Sequence, residues 1–433
     1  MGKFDAEAGS SRHFPAAGPY LRGGIKPAPV QTEEFPARVK QRPADDKLRD
    51  ATAWHFKQTN PSGGIREQEA FVRSSNRGLA PILAMAAALS GAPAALPQQA
   101  ATPPVPQTDS TTVDPDGTAH VTRVVPVPGT ISPEAQKFIS RTFRSGSPAA
   151  AEPTLAERRK ATDTFRTLRA AEARHLFPVN VEEQTIGGVR CDVITPVDNP
   201  EPKPDRVLIN VHGGGFVTDS GSLVEGIPIA NLTRTTVVSV YYRLAPEHPF
   251  PAAVEDTVAV YREMLKKYKP RRIGLFGTSA GAILTAETAV ELKREGLPLP
   301  GALGIFSGSG DMSQAGDSES LYTIFGFSGE IEPPSKNHEP VHYAGTTDPK
   351  DPVLSPLYAD LHGLPPTLFV TSTRDLLLSG TTILDRAFLR SGVDAELVVF
   401  EALPHAFWYD YRLPETKEAL GIMAWFFDDR LSR

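Results

Sequence analysis

A serine between two glycines is the first place in the sequence where the residue types could do chemistry. Ser279 is the centre of the pentapeptide 277–281, which has the pattern Gly-x-Ser-x-Gly. The apolar run 272–276 before it predicts a buried strand, and residues 283–293 after it predict a helix. This order is typical of a nucleophile elbow, in which a tight turn lifts a serine hydroxyl above a sheet edge. A glycine-rich turn with an incidental serine is the alternative.

Three consecutive glycines follow another predicted strand, residues 206–212. Because each glycine in a fixed loop costs backbone entropy, such a run indicates a special conformation. Consecutive backbone N–H groups in such a loop can point into a cavity and stabilise the oxyanion of a tetrahedral intermediate. We therefore predict Gly213 and Gly214, together with Ala280 after Ser279, as oxyanion donors; a merely flexible loop is the alternative.

A serine at neutral pH is a weak nucleophile, and it needs a base that a carboxylate orients. Asp375 follows the predicted strand 367–372, and His405 follows the predicted strand 395–400. The carboxyl ends of parallel strands meet at one edge of a sheet, so the sequence predicts Asp375 as the orienting acid and His405 as the general base. Asp351 is the competing acid, but it precedes its strand, and we expect it to brace a loop.

Strands alternate with helices from residue 179 onward, after a hairpin over 179–196. This alternation predicts an α/β fold with a mostly parallel, doubly wound sheet flanked by helices. The predicted later strands are 206–212, 235–242, 272–276, 301–307, 367–372 and 395–400, and the predicted helices are 252–267, 283 to about 296, 381–391 and 414–431.

Two helix starts precede this domain. Ser132 followed by Pro133 predicts one, and Thr154 predicts a second, each before apolar residues at helical spacing. Two amphipathic helices cannot form a core alone, so residues 131–176 must pack on another element. A cap over the active site and packing on the flank of residues 177–433 are the two options.

The first 130 residues divide into three segments. Residues 1–71 have a composition typical of disorder. Residues 72–96 combine a basic region, a short apolar core and small residues, as a secretory signal peptide does; an alanine-rich linker or helix is the alternative. Translation that starts near Val72 would explain this internal position and would leave residues 1–71 outside the natural protein. Residues 97–130 are predicted as a proline-rich linker.

Composition narrows the classes of function. The 433-residue chain has a net charge of -6, which argues against general nucleic-acid binding. Its one cysteine, Cys191, excludes an intramolecular disulfide and a cysteine-rich metal site. The apolar part of 72–96 is too short for a stable membrane span. Secretion or a periplasmic location follows if this segment acts as a signal, and a cytoplasmic location follows otherwise.

Five stretches carry a further signal: 212–215, 241–253, 277–281, 351–356 and 405–407. Together they resemble the hormone-sensitive lipase-like esterases, bacterial family IV of the α/β-hydrolase superfamily. The resemblance covers roughly residues 130–430, and it implies a serine carboxylesterase with a helical cap, no metal or organic cofactor, and a preference for short acyl esters. It also implies that residues of 241–253 form a structural brace. Thr278 and Ala282 differ from the Asp and Gly of many members, as in a Gly-Thr-Ser-Ala-Gly sub-branch.

These observations predict a hydrolase that acts on a small-molecule ester through an acyl-enzyme intermediate. A lactonase, an amidase or an acyltransferase would use the same residues, and a ligand receptor on this fold is a further alternative that the presence of His405 disfavours. Phe216, Phe407 and Trp408 are predicted to line the substrate pocket, with core packing as the alternative. A homodimer is retained as an option.

Overall fold

The sheet that organises the molecule has eight strands. The computed structural model describes residues 109–142, 154–197, 203–314, 316–321 and 343–432. Within them the order of strands across the sheet is β10-β9-β8-β7-β5-β6-β4-β3. The strands are β3 (Val179–Ile186), β4 (Val189–Pro196), β5 (Val207–Val211), β6 (Thr236–Val240), β7 (Ile273–Thr278), β8 (Ala302–Phe306), β9 (Thr367–Ser372) and β10 (Ala395–Phe400).

Strands β5 to β10 pair in parallel. The β3–β4 hairpin joins this sheet at one edge, where β4 pairs antiparallel with β6. Strands β5, β7, β8 and β9 are buried along their whole length, because helices cover both faces of the sheet. This confirms the predicted α/β fold. Cys191 lies buried in β4, where its thiol contacts the carbonyl oxygen of Val189.

The helices flank this sheet, and most begin or end within a few residues of the predicted bounds. The described helices are α1 (Pro133–Thr142), α2 (Leu155–Leu176), α3 (Ser222–Thr233), α4 (Ala252–Leu265), α5 (Ala280–Arg294), the single turn α6 (Asp317–Ser320), α7 (Leu378–Arg390) and α8 (Pro414–Ser432). Among them, no helix is both long enough and apolar enough to cross a bilayer.

Both predicted helix starts before the sheet are present. The Ser132 hydroxyl accepts a hydrogen bond from the Ala135 N–H group at the start of α1, and it donates one to Glu415 of α8. Thr154 and Glu157 form a reciprocal capping box at the start of α2. Helix α1 is therefore fastened to α8, whereas α2 packs along α3 beside the glycine loop.

One part of the predicted linker is a hairpin. Strands β1 (Ser110–Val113) and β2 (Ala119–Thr122) pair antiparallel, so the predicted linker 97–130 contains an exposed hairpin. The turn at Asp114 and Gly117 closes it through a hydrogen bond from the Gly117 N–H group, and proline at 115 favours such a turn. Residues 1–71 and 72–96 and the start of 97–130 lie outside the described residues.

Candidate active site

Ser279 lies in the tight turn between β7 and α5. Its backbone has φ 61° and ψ -124°, a region that non-glycine residues rarely adopt and that costs of order 1–3 kcal/mol. A Cβ atom on Gly277 would lie 2.6 Å from the Gly281 carbonyl carbon, and one on Gly281 would lie 2.8 Å from the His212 oxygen. Both glycines are therefore required by close backbone packing, as a nucleophile elbow demands.

The glycine loop after β5 lies directly against this turn. A Cβ atom on Gly213 would lie 3.2 Å from the Ser279 Cβ atom. Gly214 has φ 115°, and the next two residues also have positive φ, so the loop folds back sharply. The backbone N–H groups of Gly213, Gly214 and Ala280 donate to no acceptor among the described residues. Gly213 thus lies in contact with the serine, and Ala280 follows the serine directly in the chain.

Aromatic stacking and hydrogen bonds support the glycine loop. The His212 ring stacks on Tyr242 with centroids 4.1 Å apart, and the Tyr242 hydroxyl donates to the His212 carbonyl oxygen at 2.7 Å. The His212 Nδ1 atom lies 2.8 Å from the Gly213 carbonyl oxygen, so this imidazole braces the loop. Phe216 stacks face to face on Tyr343 at a centroid distance of 3.5 Å.

Asp375 and His405 meet as the strand order requires. The His405 Nδ1 atom is 2.8 Å from the Asp375 Oδ1 atom, and the carboxylate is only 1% exposed. Burial alone would raise the pKa of Asp375, but the neighbouring imidazole and its hydrogen bonds outweigh this and hold the pKa below its ordinary value. Asp375 therefore remains an anion that fixes the imidazole orientation.

Two hydroxyl groups that the sequence prediction missed complete the shell of Asp375. The Thr371 hydroxyl donates to the Asp375 Oδ2 atom at 3.0 Å, and the Ser307 hydroxyl donates to the same oxygen. Ser307 has φ 52°, a strained value for serine, and it is completely buried at the end of β8. The only sequence signal for Ser307 was its position as a polar residue directly after a buried parallel strand.

Backbone contacts connect the serine to this acid and base. The Ser279 N–H group donates to the Phe306 carbonyl oxygen at 3.0 Å, and the next residue, Ser307, donates to Asp375. His405 is half-buried beside Asp375, with 12% of its side chain exposed. Among the described residues, the Ser279 hydroxyl and His405 form no hydrogen bond with each other. Catalytic hydrogen bonds of this kind are often long or poorly aligned until substrate binds.

Other predicted residues have structural surroundings. Asp351 accepts hydrogen bonds from the Val353 and Leu354 N–H groups, so it braces its own loop as expected. Phe407 and Trp408 are 0% and 1% exposed. Both belong to a hydrophobic core cluster, as the alternative reading of the sequence expects, and their lining of a substrate pocket stays a prediction.

Helix α2 reaches the glycine loop through one arginine. The Arg159 guanidinium donates to the carbonyl oxygens of Val217 at 2.8 Å and Ala245 at 3.0 Å, and it forms a bidentate pair with Glu247. The Ala245 N–H group in turn donates to the Phe216 carbonyl oxygen. In the described parts of the chain, no cluster of three or more His, Cys, Asp and Glu side chains is arranged to hold a metal ion.

Known proteins share this fold. The α/β-hydrolase fold family matches residues 208–409. An acetyl-hydrolase of Streptomyces hygroscopicus is 33% identical over 234 residues, which are 52% of this chain and 77% of the relative. An esterase of Acinetobacter venetianus is 29% identical over 58% of this chain and 84% of that protein.

Solved structures extend the same likeness. The crystal structure of esterase E25 superposes with a TM-score of 0.63 at 34% identity, over 71% of this chain and 97% of that one. An esterase of the bacterial hormone-sensitive lipase family superposes with a TM-score of 0.57 at 32% identity, over 69% and 99%. The chain belongs to the hormone-sensitive lipase-like esterases. This esterase is accordingly a carboxylic ester hydrolase. Ser279, Asp375 and His405 follow the carboxyl ends of β7, β9 and β10, as the strand order predicts.

Proposed function

We propose that this esterase hydrolyses short-chain acyl esters through a covalent acyl-enzyme, with Ser279 as nucleophile, His405 as general base and Asp375 as orienting acid. The 2.8 Å contact between His405 and the buried Asp375 carries the proposal, because it fixes the tautomer that a general base requires. Names of relatives such as acetyl-hydrolase support a small acyl group.

The reaction proceeds in two halves. The His405 Nε2 atom takes the Ser279 proton as the hydroxyl oxygen attacks the ester carbonyl carbon, and the negative charge moves to the carbonyl oxygen. The N–H groups of Gly213, Gly214 and Ala280 stabilise that oxyanion. His405 then protonates the leaving alcohol, and water, activated by the same imidazole, releases the acid and restores Ser279.

Ser279→Ala tests the nucleophile. We expect kcat for p-nitrophenyl butyrate to fall by about 10⁶-fold with an unchanged circular dichroism spectrum, because the remaining groups cannot form an acyl-enzyme. A fluorophosphonate probe should label the wild-type chain at Ser279, as peptide mass spectrometry would show. Turnover within tenfold of wild type, or labelling at another serine, would contradict the assignment.

The chemistry of the acceptor and of the scissile bond needs its own measurement. A lactone, an anilide and an alcohol acceptor offered beside the nitrophenyl ester separate a lactonase, an amidase and an acyltransferase from the proposed hydrolase. We expect kcat/KM to be highest for acetyl to butyryl esters and to fall for longer chains. A maximum with lactone or anilide would replace the proposed substrate class while leaving the three residues in their roles.

A further inference from the structure

A buried glutamate lies beneath the turn that carries Ser279. Glu225 belongs to the first turn of α3 and is 2% exposed. Its Oε2 atom accepts a hydrogen bond from the hydroxyl of Thr278, the residue directly before the serine, and its Oε1 atom accepts one from the Asn210 amide at 2.8 Å. The carboxyl group therefore bonds to the ends of both β5 and β7.

The same group reaches the loop that carries His405. The Trp408 indole N–H group donates to the Thr278 hydroxyl at 3.1 Å, so this hydroxyl accepts from one side and donates to Glu225 on the other. Burial raises the pKa of Glu225, and the nearby Tyr409 phenol acts in the opposite direction. Both aromatic residues lie in the short 3₁₀-helix Phe407–Tyr409, which begins two residues after His405.

The glycine loop connects to this cluster through the backbone. The Glu225 N–H group donates to the Gly221 carbonyl oxygen at 3.1 Å. Gly221 packs against the Tyr409 hydroxyl, and a Cβ atom at Gly221 would lie 3.6 Å from the Gly213 nitrogen. Glu225 thus contacts β7, which carries the nucleophile, and β5, which precedes the predicted oxyanion donors, and it connects through Thr278 and Trp408 to the loop that carries the base.

The surroundings of Glu225 offer little compensation for a negative charge. Within the described residues no ion pair reaches it, and the titratable side chains that face it are the phenols of Tyr242, Tyr409 and Tyr411. Asp219 also faces this group of phenols, and it is itself paired with Arg166 at 3.5 Å and lies 3.6 Å from the His212 Nδ1 atom. Burial raises the pKa of Glu225 to about 7, and the hydrogen bonds offset this only in part.

We propose that Glu225 is a positioning residue for ester hydrolysis, which holds the backbone before Ser279 and the loop after His405 in one hydrogen-bonded arrangement. The inference rests on the proposed function of Ser279 and His405. A fully paired polar network in a core selects one arrangement, because any alternative leaves a buried donor or acceptor without a partner. Glu225 itself touches no reacting atom.

The test compares Glu225→Gln and Thr278→Val with Thr278→Ser, which keeps the hydroxyl. Asp385→Asn is a matched control, because Asp385 is another buried carboxyl group with a raised pKa but belongs to α7. We expect kcat for p-nitrophenyl butyrate to fall about 10- to 100-fold in the first two variants, with KM changed less than about twofold. Thr278→Ser and Asp385→Asn should keep kcat near that of the wild type.

A pH profile adds a readout that loss of packing would not move. Glu225 can take up a negative charge near neutrality, and glutamine cannot ionise. The kcat profile of the wild type should therefore change near pH 7 in a way that the profile of Glu225→Gln lacks. The double variant Glu225→Gln/Thr278→Val should lose less than the product of the two single losses, because both changes act on the same hydrogen-bonded cluster.

The outcomes separate this inference from the proposed function. A wild-type chain that hydrolyses no ester removes the proposed function. An active wild-type chain with unchanged kcat in Glu225→Gln and Thr278→Val overturns the positioning role, as does an equal loss in Asp385→Asn. If Glu225→Gln does not fold, the Thr278→Val and Thr278→Ser pair decides, because equal kcat in these two overturns the role and a loss only in the valine variant supports it.

Discussion

Two buried carboxyl groups lie near the serine turn, and their surroundings shift their pKa values in opposite directions. Asp375 is held as an anion, because an imidazole and the hydroxyl groups of Ser307 and Thr371 surround it. Glu225 receives hydrogen bonds from neutral donors but no cation, and burial raises its pKa. The comparison teaches that burial alone keeps an acid neutral, whereas burial with an adjacent imidazole keeps it charged.

Of the changes that bear on this comparison, the largest expected effect comes from removing the charge of Asp375. We expect Asp375→Asn to lower kcat about 10⁴-fold, because the amide no longer favours the productive tautomer of His405. Asp351→Asn is the matched control, since the asparagine oxygen can still accept the two loop N–H groups. Equal losses of kcat in the two variants, measured with p-nitrophenyl butyrate, would contradict the role of Asp375 as the acid that orients His405.

The second effect concerns stability and its dependence on pH. In the unfolded chain Glu225 loses its proton near the ordinary pKa of 4.5, whereas in the folded protein it keeps the proton up to about pH 7. The folded state therefore binds more protons between these values, and stability falls as pH rises through this window, by at most about 3 kcal/mol.

Glu225→Gln should remove that fall from the pH dependence. Urea unfolding followed by circular dichroism at pH 5, 6, 7 and 8 measures it, and the difference in free energy of unfolding between wild type and variant should shrink or change sign as pH rises. A constant difference across the range would show that Glu225 titrates in the folded protein as it does in the unfolded chain.

The smallest effect comes from Ser307. Ser307→Ala and Ser307→Gly both remove one hydrogen bond to Asp375, and we expect each to lower kcat about tenfold, because a hydrogen bond to a charged group contributes roughly 1.5–3 kcal/mol. The glycine variant should melt at a higher temperature than the alanine variant, because φ 52° suits glycine. Different kcat values for the two would indicate that backbone strain, rather than the hydroxyl group, supports Asp375.

Much of the fold was predictable because the buried strands are short apolar runs between helical segments. Ser279, Asp375 and His405 could be placed together from one rule, that the carboxyl ends of parallel strands share an edge. Helix α3 was missed, because it is buried on nearly all sides and contains Pro228, so it shows neither amphipathic periodicity nor ordinary propensity.

The cluster around Glu225 was not predictable for a different reason. Hydrogen-bonded partners in this cluster lie up to 130 residues apart in the chain, and none belongs to a local sequence pattern. The members are Asn210, Glu225, Thr278 and Trp408. Only the register of β5 against β7 and the fold of the 3₁₀-helix bring them together. Such long-range polar contacts come from tertiary packing, which local periodicity does not encode.

The buried thiol of Cys191 has a practical consequence. It is the one cysteine of the chain, it is 0% exposed, and burial raises its pKa to about 12. The native protein should therefore be inert to maleimides, and a cysteine introduced at Leu168, which is 66% exposed on α2, would be the single attachment point for a fluorophore. A fluorophore could therefore be attached at one chosen position of the folded protein without labelling of Cys191.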